Sequence, residues 1–94
     1  APSRAKLFPN VPNPFNPLTR IAFEMSAPGP ALLEIFDTAG RRIATLLHEE
    51  RSAGRHVSEW RGRDDAGRAV PSGVYFYRLK TESGVETRRM VLIR

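Results

Sequence analysis

The side chains able to do chemistry are few in this sequence. His48 and His56 are its only histidines, and it has no cysteine. A zinc site would need both histidines and carboxylates such as Glu49, Glu59 or Asp64, yet a separation of eight residues across a polar connection is no ligand signature. The six serines include none in the setting of a hydrolase nucleophile, and Ser72-Gly73 reads as a turn before a strand. Asp64-Asp65-Ala66-Gly67 offers oxygens to Ca²⁺, but calcium takes about six to eight of them from spaced ligands. Two adjacent aspartates read instead as a turn held by side-chain-to-backbone hydrogen bonds. No phosphate-cradling glycine loop and no paired-acid motif occurs. The residues therefore lead us to expect no enzyme, no catalytic residue, no cofactor and no metal.

Charge is the next handle on partners. Fifteen basic residues against ten acidic ones give a net charge of +5, and thirteen of the fifteen are arginine. They run from Arg4 to Arg94, interleaved with Glu24, Glu34, Glu59, Asp64, Glu82 and Glu86, and never more than two stand together. A nucleic-acid footprint would be clustered. The expectation is a dispersed surface with no nucleic-acid partner and a weak, salt-sensitive attraction to an anionic cell surface. Phe76 beside Arg78 is the one aromatic-basic pair that stands out. No apolar run exceeds four residues, as in Met90 to Ile93, so no transmembrane helix of about 20 residues is expected. A chain of 94 residues is one small domain. It opens Ala1-Pro2-Ser3, without an initiator Met or a signal peptide, and so reads as a piece of a longer protein.

The elements follow from punctuation and period. Residues 1–6 read as a linker. Phe8 to Pro17 is proline-punctuated and extended, with Phe8 and Phe15 as anchors and Asn10, Asn13 and Asn16 holding turns. It is expected to cover a sheet edge. Beyond it the apolar residues have period two. Thr19 to Ser26 puts Ile21, Phe23 and Met25 on one face, and Ala31 to Asp37 puts Ala31, Leu33 and Ile35 there. Arg42 to Leu47 turns Ile43 and Leu47 inward, with Leu46 ambiguous. His48 to Arg55 reads as a polar connection, His56 to Trp60 as a strand, and Gly62 to Gly73 as a loop. Val74 to Thr81 places Tyr75, Tyr77 and Leu79 together, and Val85 to Arg94 is the last strand. A helical reading of Ala39 to Arg51 fails because a turn opens it and strands flank it. The expected fold is all-β, an antiparallel sandwich of about seven strands. Trp60 is expected at the centre of the core. Met90 to Ile93, apolar on both faces, reads as a central or doubly covered strand. Gly73 is expected to need a backbone that other residues avoid.

Several stretches together carry a resemblance. Asn13-Pro14-Phe15-Asn16-Pro17 followed by Thr19-Arg20-Ile21, Leu33-Glu34-Ile35-Phe36-Asp37 through Gly40-Arg41, Trp60-Arg61-Gly62-Arg63-Asp64, Ser72-Gly73-Val74-Tyr75-Phe76-Tyr77-Arg78-Leu79, and Arg89-Met90-Val91-Leu92-Ile93-Arg94 occur in that order. This set resembles the type A C-terminal sorting domains of type IX secretion and the FlgD-type Ig-like domains. Where the closing pattern of that family has lysine, this sequence has Arg89 and Arg94.

The resemblance implies an Ig-like domain over residues 7–94, appended to a secreted bacterial protein. It implies passage through the periplasm, export across the outer membrane and attachment at the cell surface. Arg89, Met90, Val91, Leu92, Ile93 and Arg94 become the candidates read by secretion machinery. Asn13, Pro14, Phe15, Asn16, Pro17, Trp60, Gly73, Tyr75 and Tyr77 become its structural residues. The alternative is an Ig-like module for assembly or domain spacing in an extracellular filament, a hook cap or a multidomain enzyme. Its partners would be neighbouring domains or subunits. A carbohydrate-binding module would need exposed coplanar aromatics, whereas Trp60, Tyr75 and Tyr77 read as buried.

Overall fold

The structure, a computed structural model, describes residues 5–94. Seven strands follow one another: β1 (Lys6–Leu7), β2 (Thr19–Met25), β3 (Gly29–Phe36), β4 (Arg42–Arg51), β5 (Gly54–Trp60), β6 (Gly73–Thr81) and β7 (Gly84–Leu92). They form a three-stranded sheet in the order β1-β2-β5 and a four-stranded sheet in the order β4-β3-β6-β7. Every strand pairing is antiparallel. This is the expected all-β Ig-like sandwich.

The period-two pattern explains which faces meet. On β2, Ile21, Phe23 and Met25 are buried while Arg20 and Glu24 are exposed. On β3, Ala31, Leu33 and Ile35 point inward, and on β6, Tyr75, Tyr77 and Leu79 do so. The register sets Leu33 opposite Leu79, and Ile35 opposite Tyr77. Met90 of β7 lies opposite Tyr75. Full burial of one such side chain is worth about 1.5–3 kcal/mol, which is how a small cysteine-free chain offsets its conformational entropy.

Several expectations change in detail. The last strand is an edge strand, not a central one, because β7 pairs only with β6 in its ladder. Its inward residues Met90 and Leu92 are fully buried, whereas Ile93 is 50% exposed. The strand is Gly84–Leu92, leaving Ile93 and Arg94 beyond it. The polar connection expected over His48 to Arg55 is mostly strand, since β4 runs on to Arg51 and β5 begins at Gly54. An edge strand exposes its flank to water and so tolerates charged residues. Two bulges in the β3–β4 ladder leave Ile43 and Leu46 without partners across the strand pair. Leu47 and Ala44 are therefore the inward residues of β4, with Ile43 and Leu46 packed partly buried against the core. Trp60 is buried but closes one end of the core: it is the last residue of β5 and faces Thr19, the first of β2. Tyr77 is the largest of the side chains that are wholly buried. The linker expected over residues 1–6 is shorter at its C-terminal end, because Ala5 is buried and Lys6 pairs with Glu24. The rest of it, residues 1–4, lies outside the described residues.

Candidate functional site

The proline-rich lead-in ties the two sheets together along one side of the sandwich. It starts on the three-stranded sheet, where Phe8 N donates to Ala22 O at 3.0 Å and Val11 and Arg20 exchange two bonds of 2.9 Å. It then crosses to β7. Phe15 N donates to Val91 O at 3.0 Å, and Ile93 N donates to Phe15 O at 2.9 Å. Phe15 and Leu92 form a parallel bridge. Val91 N donates to Asn13 Oδ1 at 3.0 Å. Farther up the strand, Arg88 Nε donates to Leu7 O at 2.8 Å, and Leu7 N donates to Glu86 Oε1 at 3.2 Å. The outer edge of β7 is thus covered, as expected of the lead-in. Prolines suit this strap because they fix an extended φ and have no N–H to leave unpaired.

Asparagines do different jobs along it. Buried Asn10 donates through Nδ2 to Pro12 O at 3.2 Å and to Thr19 Oγ1 at 3.0 Å, closing the first bend. Asn13 caps the β7 edge, while Pro14, Asn16 and Pro17 are exposed. The Tyr77 hydroxyl donates to Phe8 O at 2.7 Å from inside the core. Burial pushes the phenols of Tyr75 and Tyr77 above their ordinary range.

Phe15 is the strap's anchor, 2% exposed, with its ring 5.8 Å from that of Trp60. Trp60 in turn meets Tyr75 edge-on at 5.3 Å and 70°. The polar ends of both are satisfied: Trp60 Nε1 donates to Arg63 O at 2.9 Å, and the Tyr75 hydroxyl to Pro71 O at 2.7 Å. Edge-on aromatic pairs add roughly 0.5–1.5 kcal/mol beyond their area.

The six candidates from Arg89 to Arg94 do not form one exposed surface. Met90 and Leu92 belong to the core, Val91 is half-buried, and Arg89 and Ile93 face solvent. Arg94 turns its guanidinium back into the domain, where Nε donates to Val70 O at 2.6 Å and Nη2 donates to Gly62 O. Its backbone N donates to Ser72 Oγ at 2.8 Å. Gly62 permits this approach. It has φ +68°, and a Cβ there would lie 2.7 Å from Arg94 Nη2 and 3.1 Å from Leu92 Cδ2.

The expected Gly73 also has a positive φ, +153°, but a Cβ added there would meet nothing within 4 Å. Both backbones are ones that L side chains rarely adopt, so Gly62→Ala and Gly73→Ala are each expected to cost about 1–3 kcal/mol in chemical denaturation. An unshifted midpoint in Gly62→Ala would remove the close-approach argument.

A repeat in the sequence is visible only once the turns are compared. Asp37-Thr38-Ala39-Gly40-Arg41 and Asp64-Asp65-Ala66-Gly67-Arg68 share the pattern D-x-A-G-R. In the first, Asp37 Oδ1 accepts Ala39 N and Arg41 N, both at 2.9 Å. In the second, Asp64 Oδ1 accepts Ala66 N at 3.0 Å and Arg68 N at 2.9 Å. Gly40 and Gly67 have φ of +83° and +82°. Each arginine leans back on its aspartate, at 3.1 Å and 3.8 Å. Asp65 Oδ1 accepts Thr45 N at 3.0 Å. These carboxylate oxygens are engaged by backbone donors, in keeping with a turn.

The Arg41 backbone N–H, foremost, holds the Asp37 carboxyl below its ordinary 3.8. A lowered folded-state pKa means stability that is present above the ordinary value and lost as pH falls through the folded one. Asp37→Asn keeps an acceptor oxygen but no charge. The stability gap between wild type and this variant is expected to shrink as pH falls from neutrality past 3.8, read by melting at a series of pH values.

The remaining reactive types stay apart. His56 Nε2 lies 2.8 Å from Ser52 O and its ring 5.4 Å from that of Phe23, while His48 is exposed on β4. Among the described residues no group of three or more His, Asp or Glu could hold a metal ion. Nor, among them, is any helix long and apolar enough to cross a membrane.

A sandwich of three plus four antiparallel strands, with its open side closed by an N-terminal strap, is an immunoglobulin-like module. The chain belongs to the FlgD Ig-like domain family, whose model matches residues 13–84. That span takes in the strap from Asn13 onward, both D-x-A-G-R turns and Trp60, and stops at the start of β7.

Three solved structures are similar. Dimeric latent PorU from Porphyromonas gingivalis matches 99% of this chain over 10% of its own, with a TM-score of 0.78 at 20% identity. FLGD from P. aeruginosa matches 79% of this chain over 58% of its own, with a TM-score of 0.62 at 15% identity. PorZ, a bacterial surface component of the type-IX secretion system of Porphyromonas gingivalis, matches 96% of this chain over 11% of its own, with a TM-score of 0.61 at 25% identity. The chain thus spans about a tenth of PorU and of PorZ, and little over half of FLGD. No curated protein matches the sequence.

Proposed function

We propose that the chain is a non-catalytic C-terminal sorting or attachment module of a secreted bacterial protein, carrying it across the outer membrane or holding it at the cell surface. The observation that carries this reading is the placement of β7. The strap covers its edge and the core takes Met90 and Leu92, while Arg89 and Ile93 remain exposed for a partner. The surface location of PorZ, similar along nearly the whole chain, supports the same reading.

The test fuses Ala1 to Arg94 to a periplasmic reporter in a host with type IX secretion. Removing Arg89 to Arg94 takes Met90 and Leu92 from the core, so a fold-preserving pair, Arg89→Ala with Ile93→Ala, accompanies it. Export is expected to fall at least several-fold in both. Undiminished export of the point variant sinks the role of the exposed residues, and undiminished export of both sinks sorting.

One observation favours a second reading, that of a spacer or assembly module. The family match rests on residues 13–84 and needs almost none of β7. Under that reading the unaltered fusion itself exports no better than the reporter alone, and the module instead fixes the spacing of neighbouring domains or subunits.

A further inference from the structure

The strap closes one side of the sandwich, at β1 and β7, and leaves β4 and β5 as the outer strands of the two sheets. The β4 edge is guarded. Two bulges break its ladder, and Asp65 of the loop after β5 engages its backbone: Asp65 N donates to Ile43 O at 3.2 Å, and Thr45 N donates to Asp65 Oδ1 at 3.0 Å. Toward its end Glu49 and Glu50 stand exposed. The β5 edge has no such guard. Its register with β2 runs from Gly54 to Trp60 without a shift, and it holds no proline.

The ladder shows which β5 groups face outward. On β2, Ala22 O accepts Phe8 N and Arg20 exchanges two bonds with Val11, so both turn their backbone groups away from β5. Val57 stands opposite Ala22, Glu59 opposite Arg20 and Arg55 opposite Glu24. By the alternation of an antiparallel ladder these three aim N–H and C=O out from the sheet. Among the described residues none of them takes part in a backbone hydrogen bond beyond the sheet. Their side chains are all exposed on the outer face, Val57 by 56%. Arg55 pairs with no carboxylate among the described residues, and its guanidinium rests 4.8 Å over the Phe8 ring, a weak contact at an exposed site.

We propose that β5 pairs antiparallel with β5 of a second copy of this chain about a two-fold axis at Val57, joining two three-stranded sheets into one. The inference goes beyond the proposed function and does not rest on it. The strand is its own complement in that register. Arg55 falls opposite Glu59 of the second copy, Val57 opposite its twin, and Glu59 opposite Arg55. Each such pair exchanges two backbone hydrogen bonds. The row across the joint then reads Lys6, Glu24 and Arg55, followed by Glu59 and Arg20 of the second copy, alternating in sign throughout. The axis repeats that row in reverse. Moving the axis one residue sets Arg55 opposite Val57 or opposite Arg61, and moving it two sets Arg55 or Glu59 against itself. Like charges directly opposite destabilise, so one register alone satisfies both charges. An extended peptide of another protein would bind this edge through its backbone and would not call for Arg55 and Glu59 to match each other.

Sedimentation velocity of the 94-residue chain is expected to show a monomer–dimer equilibrium, with dimer present by about 1 mM. Arg55→Glu and Glu59→Arg each set like charges at both ends of the joint and should raise the dissociation constant at least roughly tenfold. Mixed in equal amounts, these two variants face each other with opposite charges again and should associate as wild type does with itself. Val57→Pro deletes the N–H at the axis, which faces away from β2, so it should fold, as read by melting, and fail to dimerise.

A chain that stays monomeric at every concentration overturns the proposal, and so does one whose β5 edge takes a foreign peptide but not itself. Undiminished dimers of folded Val57→Pro overturn β5 as the interface. Failure of the mixed variants to associate overturns the register about Val57, and that mixture decides alone if Val57→Pro unfolds. Arg55, Val57 and Glu59 lie outside the segment varied in the export test, so self-association and export can fail separately.

Discussion

Trp60→Ala is expected to lower the unfolding free energy by about 3–5 kcal/mol, out of roughly 5–10 kcal/mol for a domain of this size. The side chain is 2% exposed and bridges the strap to the four-stranded sheet through Phe15 and Tyr75. Its loss leaves a cavity with one wall on each sheet and one on the lead-in, so no single element can collapse into it. The orphaned Arg63 carbonyl adds to the cost. Urea denaturation reads the change directly, and an unshifted midpoint would show that the end of the sandwich closes without the indole. Trp60→Phe should recover part of the loss by keeping an aromatic ring while still forfeiting the Nε1 bond.

Phe15→Ala is expected to cost a similar amount, about 3–5 kcal/mol, but with a different local signature. Phe15 holds the strap to β7 both by its buried ring and by its backbone, through Val91 O and Ile93 N. Without the ring, the backbone bonds compete with water alone. The amides of Val91 and Ile93 should then exchange with deuterium much faster than those of β3, whereas Trp60→Ala should raise exchange more evenly. A freed β7 edge also offers unpaired N–H and C=O groups to another chain, so Phe15→Ala should aggregate at concentrations where wild type is monodisperse. Uniform exchange in Phe15→Ala would show that the strap is held by other contacts, such as those of Leu7 with Glu86 and Arg88.

The strand faces were legible because burial imposes period two. Ile21, Phe23 and Met25, or Tyr75, Tyr77 and Leu79, announce a face without any knowledge of their neighbours. Position in the sheet was harder to read. Met90 to Ile93 looks doubly covered because Val91 and Ile93 are apolar, yet those residues face outward at an edge. A strap distant in sequence covers that edge, and no local pattern encodes it. The polar end of β4 was lost for the converse reason, since an edge strand needs no apolar row on its open flank.

The close approach at Gly62 was also hidden. It depends on Arg94 folding back across 32 positions, whereas the glycine that stands at a visible strand start is Gly73. The repeated D-x-A-G-R pattern, by contrast, was present in plain letters and needed only comparison of the two turns.

The direction of the strap has a mechanical consequence. The lead-in and β7 run the same way, so Ala5 sits by Ser83 at the hairpin end of β7, and Arg94 by Ser72 at the opposite end. A pull that separates the two ends of the module drags the lead-in and β7 past each other in opposite senses. The bonds joining Leu7 to Glu86 and Arg88, and Phe15 to Val91 and Ile93, are then loaded together in shear and cannot peel one at a time. A body tethered through this domain would be held by a clamp that yields only when all of those links break at once.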